Sequence, residues 1–236
     1  MNMKPQHAEL WDALQLGPRW VLRDAGAGDE ATSWTERDTS NPVSTLDWDA
    51  LQARVAACTA CGLCKSRTQT VFGAGSRQAT WLIVGEAPGA EEDARGEPFV
   101  GQAGKLLDNM LAAVHRSRSG GDLEAVYIAN VLKCRPPGNR NPEPHEVAAC
   151  APFLQRQIEL LQPRVILVMG RFAAQSLLGT EASIASLRGR VHQVHVGERR
   201  IPAVVTYHPA YLLRNLADKA KSWQDLQLAC RAELSA

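Results

Sequence analysis

From residue 81 onward, short wholly apolar runs alternate with longer stretches in which apolar residues recur every three or four positions. The runs Trp81–Val84, Val126–Ala129, Val165–Met169 and Ala203–Thr206 have the length and character of strands buried on both faces. Helical spacing is read over Gly104–His115, Pro144–Leu161, Phe172–Leu178 and Leu216–Leu234. A further helix is read from Asp47 to about Ala57, where Trp48, Leu51 and Val55 fall near helical spacing. This alternation predicts an α/β fold: a three-layer α/β/α sandwich around a mostly parallel central sheet.

Residues 1–46 carry a different pattern. Leu10, Trp11, Leu14 and Leu16 form a short periodic piece that ends at Gly17-Pro18. Residues 24–46 are rich in Gly, Ala, Ser, Thr and acids, the composition of a flexible linker. The expected organisation is an N-terminal extension over 1–46, with a short helix able to dock a protein partner, and a compact monomeric domain over 47–236.

Ligands of open α/β sheets bind beyond the carboxyl ends of the strands. Four distinctive loops follow the predicted strands: Gly85-Glu86-Ala87-Pro88-Gly89, the segment from Asn130, Gly170-Arg171, and His208-Pro209. They are expected to converge on one face. Each alone is explicable as a turn; their joint placement is the stronger signal.

Composition narrows the picture. The chain has 236 residues, 45% hydrophobic and 22% charged, as in ordinary globular proteins. No apolar run approaches the roughly 20 residues that span a bilayer. Met1–Leu10 lacks the basic-then-apolar order of a signal peptide, so a cytoplasmic location without membrane contact is expected. The formal net charge of +1 gives no support to nucleic-acid binding, which would need a local basic patch.

Six cysteines in a reducing compartment point to metal or catalysis rather than disulfides. Cys58, Cys61 and Cys64 are spaced by two residues; Cys134 and Cys150 follow the second predicted strand. Two cysteines from the first group and two from the second make a four-thiolate shell for zinc or an iron–sulfur cluster. Spacing alone selects neither the metal nor the pair within the first group. Cys230 sits in an apolar helical pattern and reads as a core residue.

Three ordered segments carry a resemblance. They are Gly85–Gly89 with Glu91-Glu92-Asp93 and Gly96–Gly101; Asn130-Val131-Leu132-Lys133-Cys134-Arg135-Pro136-Pro137-Gly138-Asn139-Arg140; and His208-Pro209-Ala210-Tyr211-Leu212-Leu213. Together with the cysteine pattern they resemble the family 4 uracil-DNA glycosylases, from about Ala56 to Leu234. The resemblance implies an α/β/α fold and a [4Fe–4S] cluster held by Cys58, Cys61, Cys134 and Cys150, without Cys64. Glu86 separates the sequence from the neighbouring family that carries Gly-Leu-Ala-Pro-Gly. Ala87 stands where family 1 enzymes carry a water-activating Asp, so their general-base mechanism does not transfer. The Lys-Arg-Arg-Ile-His insertion of a group that bonds covalently to uracil-DNA is absent; the local text is Leu187-Arg188-Gly189-Arg190-Val191-His192.

The implied activity is base excision repair: uracil is flipped from single- or double-stranded DNA and its N-glycosidic bond is hydrolysed, leaving an abasic site. The implied uracil pocket comprises Glu86, Ala87, Pro88, Phe99, Asn130 and His208. Asn130 would accept from N3–H and donate to O4, a pattern cytosine reverses. Phe99 would offer a flat face, and His208 would donate to O2 as charge accumulates on the leaving base. Glu86, Glu92 and Asn139 are candidates for handling water or sugar charge. Arg135, Arg140, Arg188, Arg190, Arg214 and Lys133 are candidates for a phosphate-binding rim, and Tyr211 or Leu212 for filling the space of the flipped base. A different class of function is a cluster-bearing protein that binds DNA lesions without cutting them.

Overall fold

The computed structural model describes residues 42–235. The Leu10–Leu16 helix and the linker up to residue 41 lie outside the described residues. The helices are α1 (Trp48–Ala56), α2 (Ala90–Arg95), α3 (Gln102–Ala112), α4 (Pro144–Leu161), α5 (Arg171–Leu178), α6 (Ile184–Leu187), α7 (Pro209–Arg214) and α8 (Lys219–Leu234). The strands are β1 (Ala74–Gly75), β2 (Trp81–Gly85), β3 (Arg116–Ser117), β4 (Glu124–Asn130), β5 (Val165–Met169), β6 (Val191–Val196) and β7 (Arg199–Thr206).

They form one seven-stranded sheet in the order β1-β4-β2-β5-β7-β6, with β3 beside β4. The central strands β4, β2, β5 and β7 are parallel, and β1 and β6 pair antiparallel at the edges. From β2 the chain crosses to β4 on one side, and from β5 to β7 on the other. The carboxyl ends of β2 and β5 therefore flank a topological switch point, where such sheets open a crevice.

The two-residue period of a strand explains the layers. On β2, Leu82 and Val84 join Leu154 and Ile158 of α4 and Ala174 and Leu177 of α5 in one core. Trp81 and Ile83 face the other way, onto Leu107 and Leu111 of α3 and Leu226 and Ala229 of α8. Each fully buried Leu or Ile contributes about 2 kcal/mol relative to exposure. A third core, with Val43, Leu51, Val55, Leu63, Leu132 and Phe153, surrounds the cysteines.

The predicted strands and long helices are present, with shifts at their ends. α3 stops at Ala112, before His115, whose φ of 57° is left-handed. The predicted Leu216–Leu234 helix is divided into a 3-10 turn at Leu216–Asp218 and α8. β6 and the first half of β7 were not anticipated, because the exposed Val191, His195, Arg199 and Arg200 interrupt the apolar signal there. The described end of the stretch read as linker, residues 42–46, packs on the domain. Pro42–Thr45 form a 3-10 turn, Val43 is buried, and Arg156 Nε donates to Leu46 O at 2.7 Å.

Candidate active site and cysteine centre

All four loops converge. Glu86, Ala87, Pro88, Phe99, Asn130, Asn139 and His208 line one cleft of about 520 Å³ at the carboxyl end of the sheet. Gly170, with φ of 92°, lies against His208: a Cβ there would be 3.2 Å from the His208 Cβ. The cleft also takes Gly89, Pro136 and Ala210, motif residues given no role in the sequence reading, and Ala103, which lies outside the motifs.

Asn130 is 2% exposed at the end of β4, paired in register with Gly85 of β2. The main chain beyond it continues the parallel ladder: Val131 N donates to Gly85 O and Leu132 N to Glu86 O, both at 3.0 Å. Its carboxamide makes no hydrogen bond to another described residue, so both ends are available to a ligand. Gly85 has no side chain for a plain reason. A Cβ there would overlap Asn130 Oδ1 and stand 2.7 Å from Phe99 Cζ.

Phe99 has the left-handed φ of 54°, unusual for an aromatic residue, and is held there by its surroundings. Arg118 donates to Pro98 O at 2.7 Å and to Phe99 O at 2.6 Å. Gly104 lets the Phe99 carbonyl approach α3, because any Cβ there would overlap it. The Phe99 ring stacks on His208, with centroids 5.4 Å apart and planes inclined by 25°.

His208 accepts a hydrogen bond at Nδ1 from Ala210 N, 3.1 Å away, at the start of α7. Nδ1 is therefore unprotonated, and a neutral ring carries its proton on Nε2. Burial pulls the imidazole down to about 4, and Glu92 opposes this only in part. The ring is thus a neutral donor at physiological pH.

The two carboxylates have different surroundings. Burial pushes Glu86 up to about 7, against the nearby Arg171. Glu92 accepts from Gly89 N and Val100 N, each at 3.0 Å, and from Gly101 N at 3.3 Å. It staples the Gly85–Gly89 loop to the Phe99 loop. Asn139, with φ of 55°, accepts at Oδ1 from Arg135 Nε at 2.7 Å.

The basic residues divide in a way the sequence did not reveal. Arg214 is exposed and lines the cleft, while Arg190 is exposed outside it. Arg140 also reaches the cleft but is clamped to the buried Glu146 at 2.6 and 2.9 Å. Arg188 does not present its charge to a rim: it pairs with the fully buried Asp225 at 2.7 Å and stacks over Tyr207. Lys133, read as a rim cation, is 1% exposed. Leu212 is also 1% exposed and cannot enter a duplex; Leu213, 42% exposed, is the apolar side chain α7 presents. Tyr211 lines the cleft and donates to Asp218 Oδ2 at 2.7 Å.

Cys58, Cys61, Cys64, Cys134 and Cys150 line a second, smaller cavity. Cys58 follows α1, Cys134 follows β4 and Cys150 lies on α4. Burial pushes the Cys150 thiol up to about 12 and raises Cys134 as well. Cys58 acts electrostatically on both and Cys61 on Cys134. Arg67 donates to Cys134 Sγ at 3.0 Å and Lys133 N to Cys150 Sγ at 3.2 Å, contacts that stabilise thiolates.

Comparison with known proteins agrees with this geometry. The model of the uracil DNA glycosylase superfamily matches residues 72–227. A type-4 uracil-DNA glycosylase of Archaeoglobus fulgidus is 45% identical over 169 residues, 70% of this chain and 82% of the relative. One from Pyrobaculum aerophilum is 40% identical over 187 residues, 78% of this chain and 93% of the relative. A type-5 uracil-DNA glycosylase of Thermus thermophilus is more distant, 34% identical over 151 residues, 58% of this chain and 68% of the relative. The chain belongs to the uracil-DNA glycosylase superfamily, and within it to the type-4 family.

Proposed function

We propose that this protein is a uracil-DNA glycosylase of base excision repair that hydrolyses the bond between deoxyribose C1′ and uracil N1. The observation that carries the reading is the pairing of an uncommitted, buried Asn130 carboxamide with a neutral, Nε2-protonated His208 in one cleft. The carboxamide accepts from uracil N3–H and donates to O4. Cytosine would leave both ends mismatched, and a buried unpaired polar group costs about 1–3 kcal/mol. His208 donates to O2, where negative charge gathers as the base leaves. A neutral donor is sufficient for that, and its alignment by Ala210 N costs nothing at the moment of reaction.

Glu86 is the carboxylate we assign to the attacking water and the positive sugar. It faces the cleft without a backbone staple, and Ala87 beside it offers only a methyl group. Glu92 acts through its three backbone hydrogen bonds, by holding the Phe99 loop, and we read it as a positioning residue. Asn139, on the cleft wall, orders Arg135 through its hydrogen bond. Arg214, with Arg135 and Arg190, supplies the local positive rim for phosphates, while Leu213 faces the DNA stack. The substrate is DNA, and we place the enzyme with it in the cytoplasm.

The cysteine cavity fits a [4Fe–4S] cluster on Cys58, Cys61, Cys134 and Cys150. Four thiols and surrounding N–H donors are the chemistry such a cluster needs. When bound, the cluster supplies folding energy and fixes the loops; base excision moves no electrons. Incubating iron-loaded protein with a uracil-containing oligonucleotide tests the proposal. Free uracil and an alkali-labile abasic site are expected; tight binding with an intact bond would favour a lesion-binding protein instead.

A further inference from the structure

The side chain of Lys133 is buried between the base-reading pocket and the cysteine centre. Among the described residues no carboxylate pairs with it. Its ammonium donates to Asn130 O at 2.8 Å and to Gln157 Oε1 at 2.6 Å. Its own backbone N–H donates to Cys150 Sγ at 3.2 Å. Gln157, fully buried on α4, donates in turn to Phe72 O at 2.9 Å and to the Tyr127 hydroxyl at 3.4 Å.

An ammonium without a carboxylate is costly to bury, so this arrangement must hold something in place. The peptide after Asn130 is fixed on both sides. Val131 N and Leu132 N are held by Gly85 O and Glu86 O, and the Asn130 carbonyl is held by Lys133. The direction of the Asn130 side chain follows from that peptide. The backbone N–H of the same residue donates to Cys150 Sγ, and the ammonium acts electrostatically on Cys150 and Cys134. When Cys134 and Cys150 hold a metal group they are thiolates, and the neighbouring ammonium is their counter-charge.

We propose that Lys133 is a positioning residue that fixes the carboxamide of Asn130 and ties it to the cysteine centre. The proposal rests on the uracil reading of the cleft. It gives the cluster a second role, in which one buried side chain holds the specificity residue in register. Gln157 shares that role by orienting the ammonium.

Lys133→Met in the iron-loaded full chain tests it, because methionine keeps the stem and removes the charge. Iron content is expected to match wild type. Inhibition by free uracil should weaken on the order of tenfold, the scale at which outer-shell partners act, and single-turnover cleavage should slow with it. Affinity for abasic product DNA should hold, and the cluster's reduction potential should become more negative as its counter-charge is lost. Wild-type uracil inhibition in iron-loaded Lys133→Met overturns the proposal. Should that variant fail to fold, Gln157→Met must weaken uracil inhibition and Gln157→Glu, which keeps an acceptor for the ammonium, must recover it. Equal inhibition in both Gln157 variants and wild type overturns it too. A wild-type protein that neither releases uracil nor is inhibited by it refutes the functional reading itself, independently of any variant.

Discussion

Asn130 rests its carboxamide oxygen directly against the bare Cα of Gly85, its register partner across β2 and β4. The base-reading group is thus packed against backbone rather than against a movable side chain. Gly85→Ala should displace both Asn130 and Phe99, since a methyl group there overlaps Oδ1 and crowds the ring. Overpacking of this kind costs about 1–3 kcal/mol. Single-turnover release of uracil should fall at least tenfold while iron content is retained; an unchanged rate would mean that the pocket floor yields freely.

Glu86 and His208 together set the pH dependence. Glu86 is pushed up to about 7 by burial, so its carboxylate form grows from minor to major between pH 6 and 8. With the carboxylate as the working form, the rate rises with pH below 7 and levels above it. His208, pulled down to about 4, stays neutral throughout and adds no limb. Glu86→Gln should flatten the profile at a low rate, and a wild-type rate that falls from pH 6 to 8 would exclude the carboxylate as the active form. Linkage gives a second readout. The folded state holds the Glu86 proton to higher pH than the unfolded state, so its stabilising contribution is present at low pH and lost as pH rises toward 7. The melting temperature of Glu86→Gln should accordingly gain on wild type as pH rises from about 4.5 to about 7.

Salt dependence should separate the arginines. Arg188→Ala leaves Asp225 buried without its cation, which costs about 3 kcal/mol in melting experiments and leaves the salt slope of DNA binding unaltered. Arg214→Ala should lower the slope of log affinity against log salt by about one, the loss of one phosphate contact. A reduced slope in Arg188→Ala with normal stability would return that residue to the DNA rim.

The cysteines make a paired prediction. Cys134→Ala and Cys150→Ala should lose iron and melt lower, because metal binding and folding are coupled. Cys64→Ala should keep both its iron and its melting temperature, since the proposed shell rests on Cys58, Cys61, Cys134 and Cys150. Iron loss in Cys64→Ala would reassign the shell.

The layers were legible because β2, β5 and the carboxyl-terminal halves of β4 and β7 are buried on both faces and read as largely apolar runs. The convergence of the loops followed from parallel topology alone. What escaped was the allocation of individual polar groups. Lys133 and Arg188 look like Arg214 in sequence, yet one donates to a carbonyl and another meets a buried carboxylate contributed by α8. Both partners are fixed by tertiary contacts: Gln157 is 24 residues from Lys133 and Asp225 is 37 from Arg188. Glu86 and Glu92 were likewise indistinguishable until the backbone donors around Glu92 were in place. Leu212 and Leu213 differ only by the helical phase of α7, a six-residue helix that carried no periodic signal.

The most direct measurement is single-turnover release of uracil from a labelled oligonucleotide by the iron-loaded wild type, Asn130→Asp and His208→Ala. Wild type should yield free uracil and an abasic strand. His208→Ala should be slower on the order of a hundredfold, about 3 kcal/mol of lost transition-state stabilisation, with binding little changed. Asn130→Asp should also be impaired, because a carboxylate cannot donate to O4 and repels the departing anion. Wild-type rates in both folded variants, or an intact glycosidic bond after long incubation with the wild type, would contradict the assignment of this cleft to uracil excision.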